Sequence, residues 1–328
     1  MVQPRSVLLL PGQGAQRERM AAGLYHVDPV FSAEVERLLA ALGPAGRRLR
    51  EQWLRPAPHP GLDDSETAQP LLLIVGYALG RALAAASRMP NILLGHSMGE
   101  LAAACLAGVY PPTAVTRLVH GRTRGLSHVG RGGMLAVAAR PEQLDGMLID
   151  GVVVAAVNGP RQTVLAGSRG ALVATAGRLS AAGFSTLPLR SWHAFHSPAM
   201  APVAARFRGG LSRLPAAVPE VRIYSSRTAA EVRRDEAVDP GFWADQMMLP
   251  VQYWTALRAL LDTEGTTTGL LLVDASVDRS LSAPARHHPA VRAGTSRIVP
   301  LLGTARETGG PADVREFAAA AAALRGSA

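Results

Sequence analysis

The segment from Asn91 to Glu100, Asn-Ile-Leu-Leu-Gly-His-Ser-Met-Gly-Glu, constrains the fold of this chain more than any other. It sets Ser97 in a Gly-x-Ser-x-Gly frame between an apolar run and the alanine-rich stretch Leu101–Ala107. A strand that turns abruptly into a helix needs glycine at positions such as Gly95 and Gly99, where a side chain would hold the two elements apart. The Ser97 hydroxyl is then presented at a helix N-terminus, and the N–H of Met98 can face an oxyanion. The frame predicts a nucleophile on a sharp elbow. Its plain alternative is a serine that only caps the helix.

The rest of the chain arranges itself around that elbow. Val7–Leu10 reads as a buried strand ending in the loop Pro11-Gly12-Gln13-Gly14-Ala15-Gln16. This loop is not a dinucleotide fingerprint, because Arg17 stands where a third glycine is expected and no phosphate-binding lysine follows. Helical spacing covers Pro29–Leu42, a proline-rich loop covers Pro56–Ser65, and an apolar helix from Gln69 to Ala86 leads to the strand Ile92–Leu94. A helix over Thr113–Leu126 carries Arg117, Arg122 and Arg124 and ends in a glycine-rich turn. Short β-like runs at Met134–Ala138, Val152–Val157 and Thr163–Ala166 then alternate with helical stretches at Pro141–Leu148 and Arg169–Ala182, closing near Leu187. A helix over Ala199–Leu214, a strand at Val221–Ser225, a helix at Val251–Leu261, a strand at Leu270–Val273 and a terminal helix at Ala318–Leu324 complete the reading. The expected fold class is α/β. A large hydrolase-like parallel-sheet subdomain spans 1–130 and 190–328, and a smaller ferredoxin-like α+β insert spans 131–189.

Composition removes several function classes. No run reaches the ~18 apolar residues of a membrane span, and Val7–Leu10 is too short for a signal sequence, so a cytoplasmic protein without a membrane role is expected. The single Cys105 excludes a disulfide framework and a cysteine-based metal site, and no metal is expected. The net charge of +9 comes wholly from arginine and attracts acidic partners at long range. A nucleotide-bearing cofactor, an acidic carrier protein and nucleic acid all qualify. Nucleic acid ranks last, because the arginines are scattered and aromatics make up only 5% of the chain.

A nucleophilic serine needs a base, and nine histidines compete for the role. His196 is the best placed: it precedes the helix-start signal Ser197-Pro198, where the chain re-enters the large unit. His96 adjoins Ser97, but neighbours on such a turn point apart, which suits a structural role. His193 either lines a pocket wall or simply packs, and His287 and His288 fall in a polar loop and read as surface residues.

Four separated motifs, Gly12-Gln13-Gly14-Ala15-Gln16, Gly95-His96-Ser97-Met98-Gly99-Glu100, Leu118-Val119-His120-Gly121-Arg122 and His193-Ala194-Phe195-His196, resemble in order and spacing those of malonyl-CoA:acyl-carrier-protein transacylases and polyketide synthase acyltransferase domains. Ala156–Pro160 and Gln246–Val251 add weaker matches. The resemblance covers most of the chain. It implies an acyl-enzyme on Ser97 with His196 as general base, an oxyanion hole from the N–H groups of Gln13 and Met98, and a backbone carbonyl at Gln246 orienting the histidine. It implies a substrate pocket of Arg122, Phe195, His193, Gln69 and Asn158, with Arg122 binding the free carboxylate of a malonyl-type group. The acyl-CoA thioester is then substrate rather than bound cofactor, and the phosphopantetheine thiol of an acidic acyl carrier protein is the acceptor.

The form His193-Ala194-Phe195-His196 is the one associated with malonyl over methylmalonyl selection, since Phe195 crowds the α-carbon. Two departures stand out: Val273–Asp278 replaces a Glu-Val-Gly-Pro-like turn, and Met98 is bulkier than many counterparts. Both weaken the claim to an ordinary fatty-acid enzyme, so an acyltransferase of polyketide or related natural-product assembly is expected, and the single-domain length fits a free-standing one. The rivals are an acyl-thioester hydrolase, an acyltransferase taking a non-malonyl group from a carrier, an esterase with the order Ser97, Asp274 and His287 or His288, and an inert carrier-binding module.

Overall fold

The computed structural model describes residues 4–56 and 60–326, so three residues of the proline-rich loop, 57–59, lie outside it. Strand β1 (Arg5–Leu10) and the loop after it lead to helices α1 (Pro29–Ala40), α2 (Pro44–Leu54) and α3 (Ser65–Ala86). Strand β2 (Ile92–Gly95) passes through Ser97 into α4 (Met98–Leu106), followed by α5 (Pro112–Arg124). Four strands then build a separate sheet: β3 (Gly133–Val137), β4 (Val153–Gly159), β5 (Gln162–Gly167) and, after α6 (Arg169–Ala181), β6 (Thr186–Pro188). Helix α7 (Ala201–Leu211) returns the chain to the first sheet, which is completed by β7 (Arg222–Ser225), β8 (Ala230–Glu231), β9 (Leu270–Asp274) and β10 (Arg297–Pro300).

The larger sheet has the order β10-β9-β1-β2-β7-β8 and is parallel except for β8. Its central strands are apolar without alternation because helices cover both faces. Leu8, Leu10 and Leu93 face the cluster formed with α1 to α5, whereas Val7, Leu9, Ile92 and Leu94 face a second cluster containing the helix Tyr253–Leu260. That second cluster also takes in Ala155, Ala156, Val164 and Ala166 of the smaller sheet. The smaller sheet is antiparallel, in the order β4-β5-β3-β6. Packing of Leu135, Val137, Leu165, Leu172 and Leu179 gives it a core of its own.

Four expectations are corrected. The helix expected over 141–148 is a 3-10 turn at Pro141–Leu144, with Gly146 at a φ of 74° ending any helical continuation. The helix α2, the strand β10 and the short helices at 234–238, 240–244 and 289–292 were not foreseen. By length and composition α3 is apolar enough to cross a membrane, although no run of that kind was read in the sequence; it is instead wrapped by α1, α4 and α5 as a core helix. The terminal helix is longer than expected, running from Pro311 to Gly326.

Candidate active site

The elbow has the geometry its glycines dictate. A Cβ on Gly99 would stand 2.1 Å from the Leu10 carbonyl oxygen, and one on Gly95 would stand 2.2 Å from the backbone of Gly99 and Glu100. Only glycine lets β1, β2 and α4 meet this closely. Ser97 itself is forced to a φ of 51° and ψ of −110°, a region that a residue with a side chain occupies at a cost of about 1–3 kcal/mol. His196, with a φ of 59°, is the second strained residue of the site.

These two strained residues meet. The Ser97 hydroxyl lies 2.8 Å from His196 Nε2. His196 Nδ1 lies 2.8 Å from the Gln246 carbonyl and 3.0 Å from that of Leu249. Two acceptors at Nδ1 demand a proton there, which leaves Nε2 as the acceptor for the serine O–H. The backbone N–H of His196 donates to Met247 O at 2.8 Å, so one short turn grips the residue at ring and main chain. Burial pushes the His196 pKa down to about 4, helped by repulsion from His96 and Arg122. The imidazole is therefore a neutral base at pH 7.

Ser97 and His196 line a cavity of about 720 Å³ between the two sheets. Gln13, Met98, Gln69, Arg122, Phe195, Asn158 and Gln246 line it too, which brings together nine of the ten residues expected from the sequence. Among the described residues, no hydrogen bond engages the backbone N–H of Gln13 or of Met98. His193 is the exception. It stands behind Phe195, ring centroids 5.8 Å apart, with Nε2 at 3.2 Å from Leu126 O, and contributes no cavity surface.

Arg122 reaches the cavity from α5 and is held only by neutral groups. Its Nε and Nη2 donate to Gln69 Oε1 at 3.3 and 3.1 Å, Nη2 approaches Met98 Sδ at 3.7 Å, and the guanidinium lies 4.7 Å from the Phe207 ring centroid. Among the described residues no carboxylate pairs with it, and burial pushes its pKa down to about 9. A guanidinium desolvated without a counter-charge is a site for an anion. Gln69 also donates to Gln13 Oε1 at 2.9 Å, tying the glycine-rich loop to the arginine.

His96 has the structural place expected of it: Nε2 meets Asn158 Oδ1 at 2.7 Å, which links the elbow to β4 of the smaller sheet. The esterase arrangement is not formed. Asp274 is buried and accepts from Ser276 and Ser282 of its own loop, and His288 pairs with Asp262 at 2.9 Å while accepting from Ala290 N. His288, read as a surface residue, is buried because it caps the helix Pro289–Arg292.

Sequence reasoning missed two parts of the site. The Leu249 carbonyl carries no side-chain signal. Glu100, three residues past Ser97, is buried, and its Oε1 accepts from the hydroxyls of Ser225 and Ser226 and from the N–H of Arg227. The Ser226 carbonyl in turn accepts from Gln252 N, next to the turn that holds His196.

Known proteins share this geometry's setting. The acyl transferase domain family matches residues 7–291. A phenolphthiocerol/phthiocerol polyketide synthase of Mycobacterium tuberculosis is 32% identical over 286 residues, 87% of this chain; the chain spans only 19% of that protein's length. The acyl transferase domain of SpnD, solved in complex with 2-(pent-4-yn-1-yl)malonyl, superposes with a TM-score of 0.87 at 30% identity, over 99% of this chain and 77% of that one. The malonyl CoA-acyl carrier protein transacylase of Coxiella burnetii shares the fold, with a TM-score of 0.83 at 21% identity over 99% of each chain. The chain thus belongs to the acyl transferase domain family, the group of malonyl-CoA:acyl-carrier-protein transacylases and polyketide synthase acyltransferases.

Proposed function

We propose that this chain moves a malonyl-type group from coenzyme A to the phosphopantetheine thiol of an acidic acyl carrier protein through an ester on Ser97, in polyketide or related biosynthesis. The observation that carries the reading is the 2.8 Å contact between Ser97 Oγ and His196 Nε2 beside an arginine with no carboxylate partner. His196 accepts the serine proton as Oγ attacks the thioester carbonyl. The N–H groups of Gln13 and Met98 stabilise the oxyanion, each worth ~2.7–4 kcal/mol in such sites. Collapse breaks the C–S bond, and His196 returns the proton to the departing thiol, leaving the acyl-serine. The carrier thiol then gives its proton to His196 and attacks the ester; a second oxyanion collapses, and Ser97 leaves with the proton.

The carbonyls of Gln246 and Leu249 keep the imidazole in the tautomer that this sequence needs. Arg122 binds the distal carboxylate of the acyl group, and Phe195 and Met98 bound the space around its α-carbon. We read residues 1–130 and 190–328 as a hydrolase-like large subdomain and 131–189 as a ferredoxin-like insert. The strand order of the insert suits that name.

The test is intact-protein mass after brief incubation with malonyl-, methylmalonyl- and acetyl-CoA. Wild type should gain a malonyl adduct that Ser97→Ala lacks. A Ser97→Ala protein that still transferred the group to a carrier at the wild-type rate would sink the mechanism.

A further inference from the structure

The segment Leu189–Ser191 lines the cavity at its mouth, and the next residue, Trp192, turns outward with 51% of its surface exposed. Its ring is stacked by arginines: the guanidiniums of Arg169 and Arg131 lie 5.0 and 5.7 Å from the centroid. Among the described residues neither arginine has an ion-pair partner. Stacking holds each guanidinium flat while its N–H edges stay available to a partner. Beside this platform runs β6, the edge strand of the smaller sheet, in which Leu187 is 65% exposed, and just past its end Leu189 is 37% exposed. An exposed tryptophan with arginines and apolar neighbours has the composition of an energetic centre in a protein interface.

The charge pattern selects the partner. No Asp or Glu occurs from 151 to 219, whereas Arg161, Arg169, Arg178 and Arg190 fall in the same stretch up to the platform. Among the described residues, Arg190 is paired with Asp63 at 3.0 Å across the cavity mouth, whereas Arg161, Arg169 and Arg178 have no ion-pair partner. The guanidiniums of Arg131 and Arg169 on the rim attract an acidic body and repel a basic one. The stacking surface is already taken by guanidiniums, which disfavours a nucleotide base as its occupant.

We propose that the rim formed by Trp192, Arg131, Arg169, Leu187 and Leu189 is the docking surface for the acidic carrier that delivers the acceptor thiol. This inference rests on the transacylase reading above. A carrier seated there feeds its arm past Leu189–Ser191 toward Ser97 within one continuous cavity.

The experiment uses a polyketide-type acyl carrier protein bearing phosphopantetheine, with Trp192→Ala and the double variant Arg131→Glu/Arg169→Glu. Loading of Ser97 from malonyl-CoA and transfer to N-acetylcysteamine, a thiol without a carrier body, should stay within about twofold of wild type. The kcat/KM for the carrier should fall tenfold or more, with the charge-reversal loss shrinking as salt is raised. Calorimetric titration of the carrier into unacylated protein reads the surface with no acyl chemistry, and its affinity should fall by the same factor. Unchanged carrier affinity in both variants would overturn the docking site whether or not Ser97 is acylated, and would leave the rim to another occupant, such as a neighbouring part of a longer polypeptide. An equal loss with the small thiol would overturn it as well, since the variants would then act on the cavity. Failure of wild type to form any Ser97 adduct, with carrier binding lost in the variants, would overturn the chemical reading and keep the surface.

Discussion

Replacing Gln69 by glutamate tests the charge logic of the cleft with almost no change of shape. The Gln69 carbonyl oxygen already accepts from Arg122 Nε and Nη2 at 3.3 and 3.1 Å, so a carboxylate fits the same contact. The new charge would sit roughly 4 Å from the centre of the guanidinium, an attraction of about 4 kcal/mol at an effective dielectric near 20. A substrate carboxylate would then meet an arginine already neutralised, and it would lose charge-assisted hydrogen bonds worth about 1.5–3 kcal/mol. Malonyl loading of Ser97 in Gln69→Glu should fall roughly 10- to 100-fold, at 1.4 kcal/mol per tenfold. Acetyl-CoA carries no carboxylate and should lose only what the broken contact with Gln13 Oε1 takes away. The assay is the rate of adduct formation by intact mass with malonyl- and acetyl-CoA in parallel, with Arg122→Ala as reference. The malonyl-to-acetyl ratio is the quantity that decides. An unchanged ratio with both rates reduced would mean that Gln69 acts by holding the Gln13 loop, and an unchanged malonyl rate would refute Arg122 as the carboxylate site.

Two further outcomes follow from the site. His196 has a pKa of about 4 in the fold against about 6.5 in an unfolded chain, so the unfolded chain binds the proton more readily; its contribution to stability is full above about pH 6.5 and is lost as pH falls through about 4, roughly 3 kcal/mol in all. Urea midpoints measured from pH 7 down to 4.5 should fall more steeply for wild type than for His196→Gln, and equal slopes would contradict the burial argument. Gly99→Ala drives a Cβ into the Leu10 carbonyl and should destabilise by about 1–3 kcal/mol or more, whereas Gly121→Ala, on exposed helix with nothing within 4 Å, should stabilise by roughly 0.4–1 kcal/mol; similar shifts for the two would refute the close-approach reading of the elbow.

What the sequence disclosed depended on where the physics was local. The elbow was legible because Gly95, Ser97 and Gly99 act within five residues, and their constraint is steric. The buried central strands showed as apolar runs for the same reason: each sits between two covered faces. Pairing across the cavity was less visible. That His196 meets Ser97 rested on the order of motifs, while the second carbonyl at Leu249 and the contact of Gln69 with Gln13 depend on three-dimensional neighbours. The surface reading of His288 failed because its partners, Asp262 and the N–H of Ala290, are set by a short helix with no periodic signal. Likewise the stretch 141–148 had helical composition, but Gly146 at positive φ stopped it after one turn.

One feature of the cleft explains another. Among the described residues that line the cavity, the carboxylates are Glu18 and Asp63, and Asp63 is engaged at the mouth by Arg190 and Gln16. Glu100 lies buried behind the elbow, with Oε1 turned toward Ser225 and Ser226. An acid placed to orient His196 would stand near Arg122, whose charge already disfavours protonation of that histidine, and it would compete with any substrate for the guanidinium. Backbone carbonyls orient the ring without adding charge. They do less than a carboxylate to stabilise the imidazolium, a smaller handicap when the leaving group is a thiol with a pKa near 8.5 than when it is an amine. In the proposed reaction, then, the carbonyl clamp on His196 and the unpaired Arg122 are two sides of one requirement: a site that selects an acyl group by its negative charge must keep its own carboxylates away from the cation that reads it.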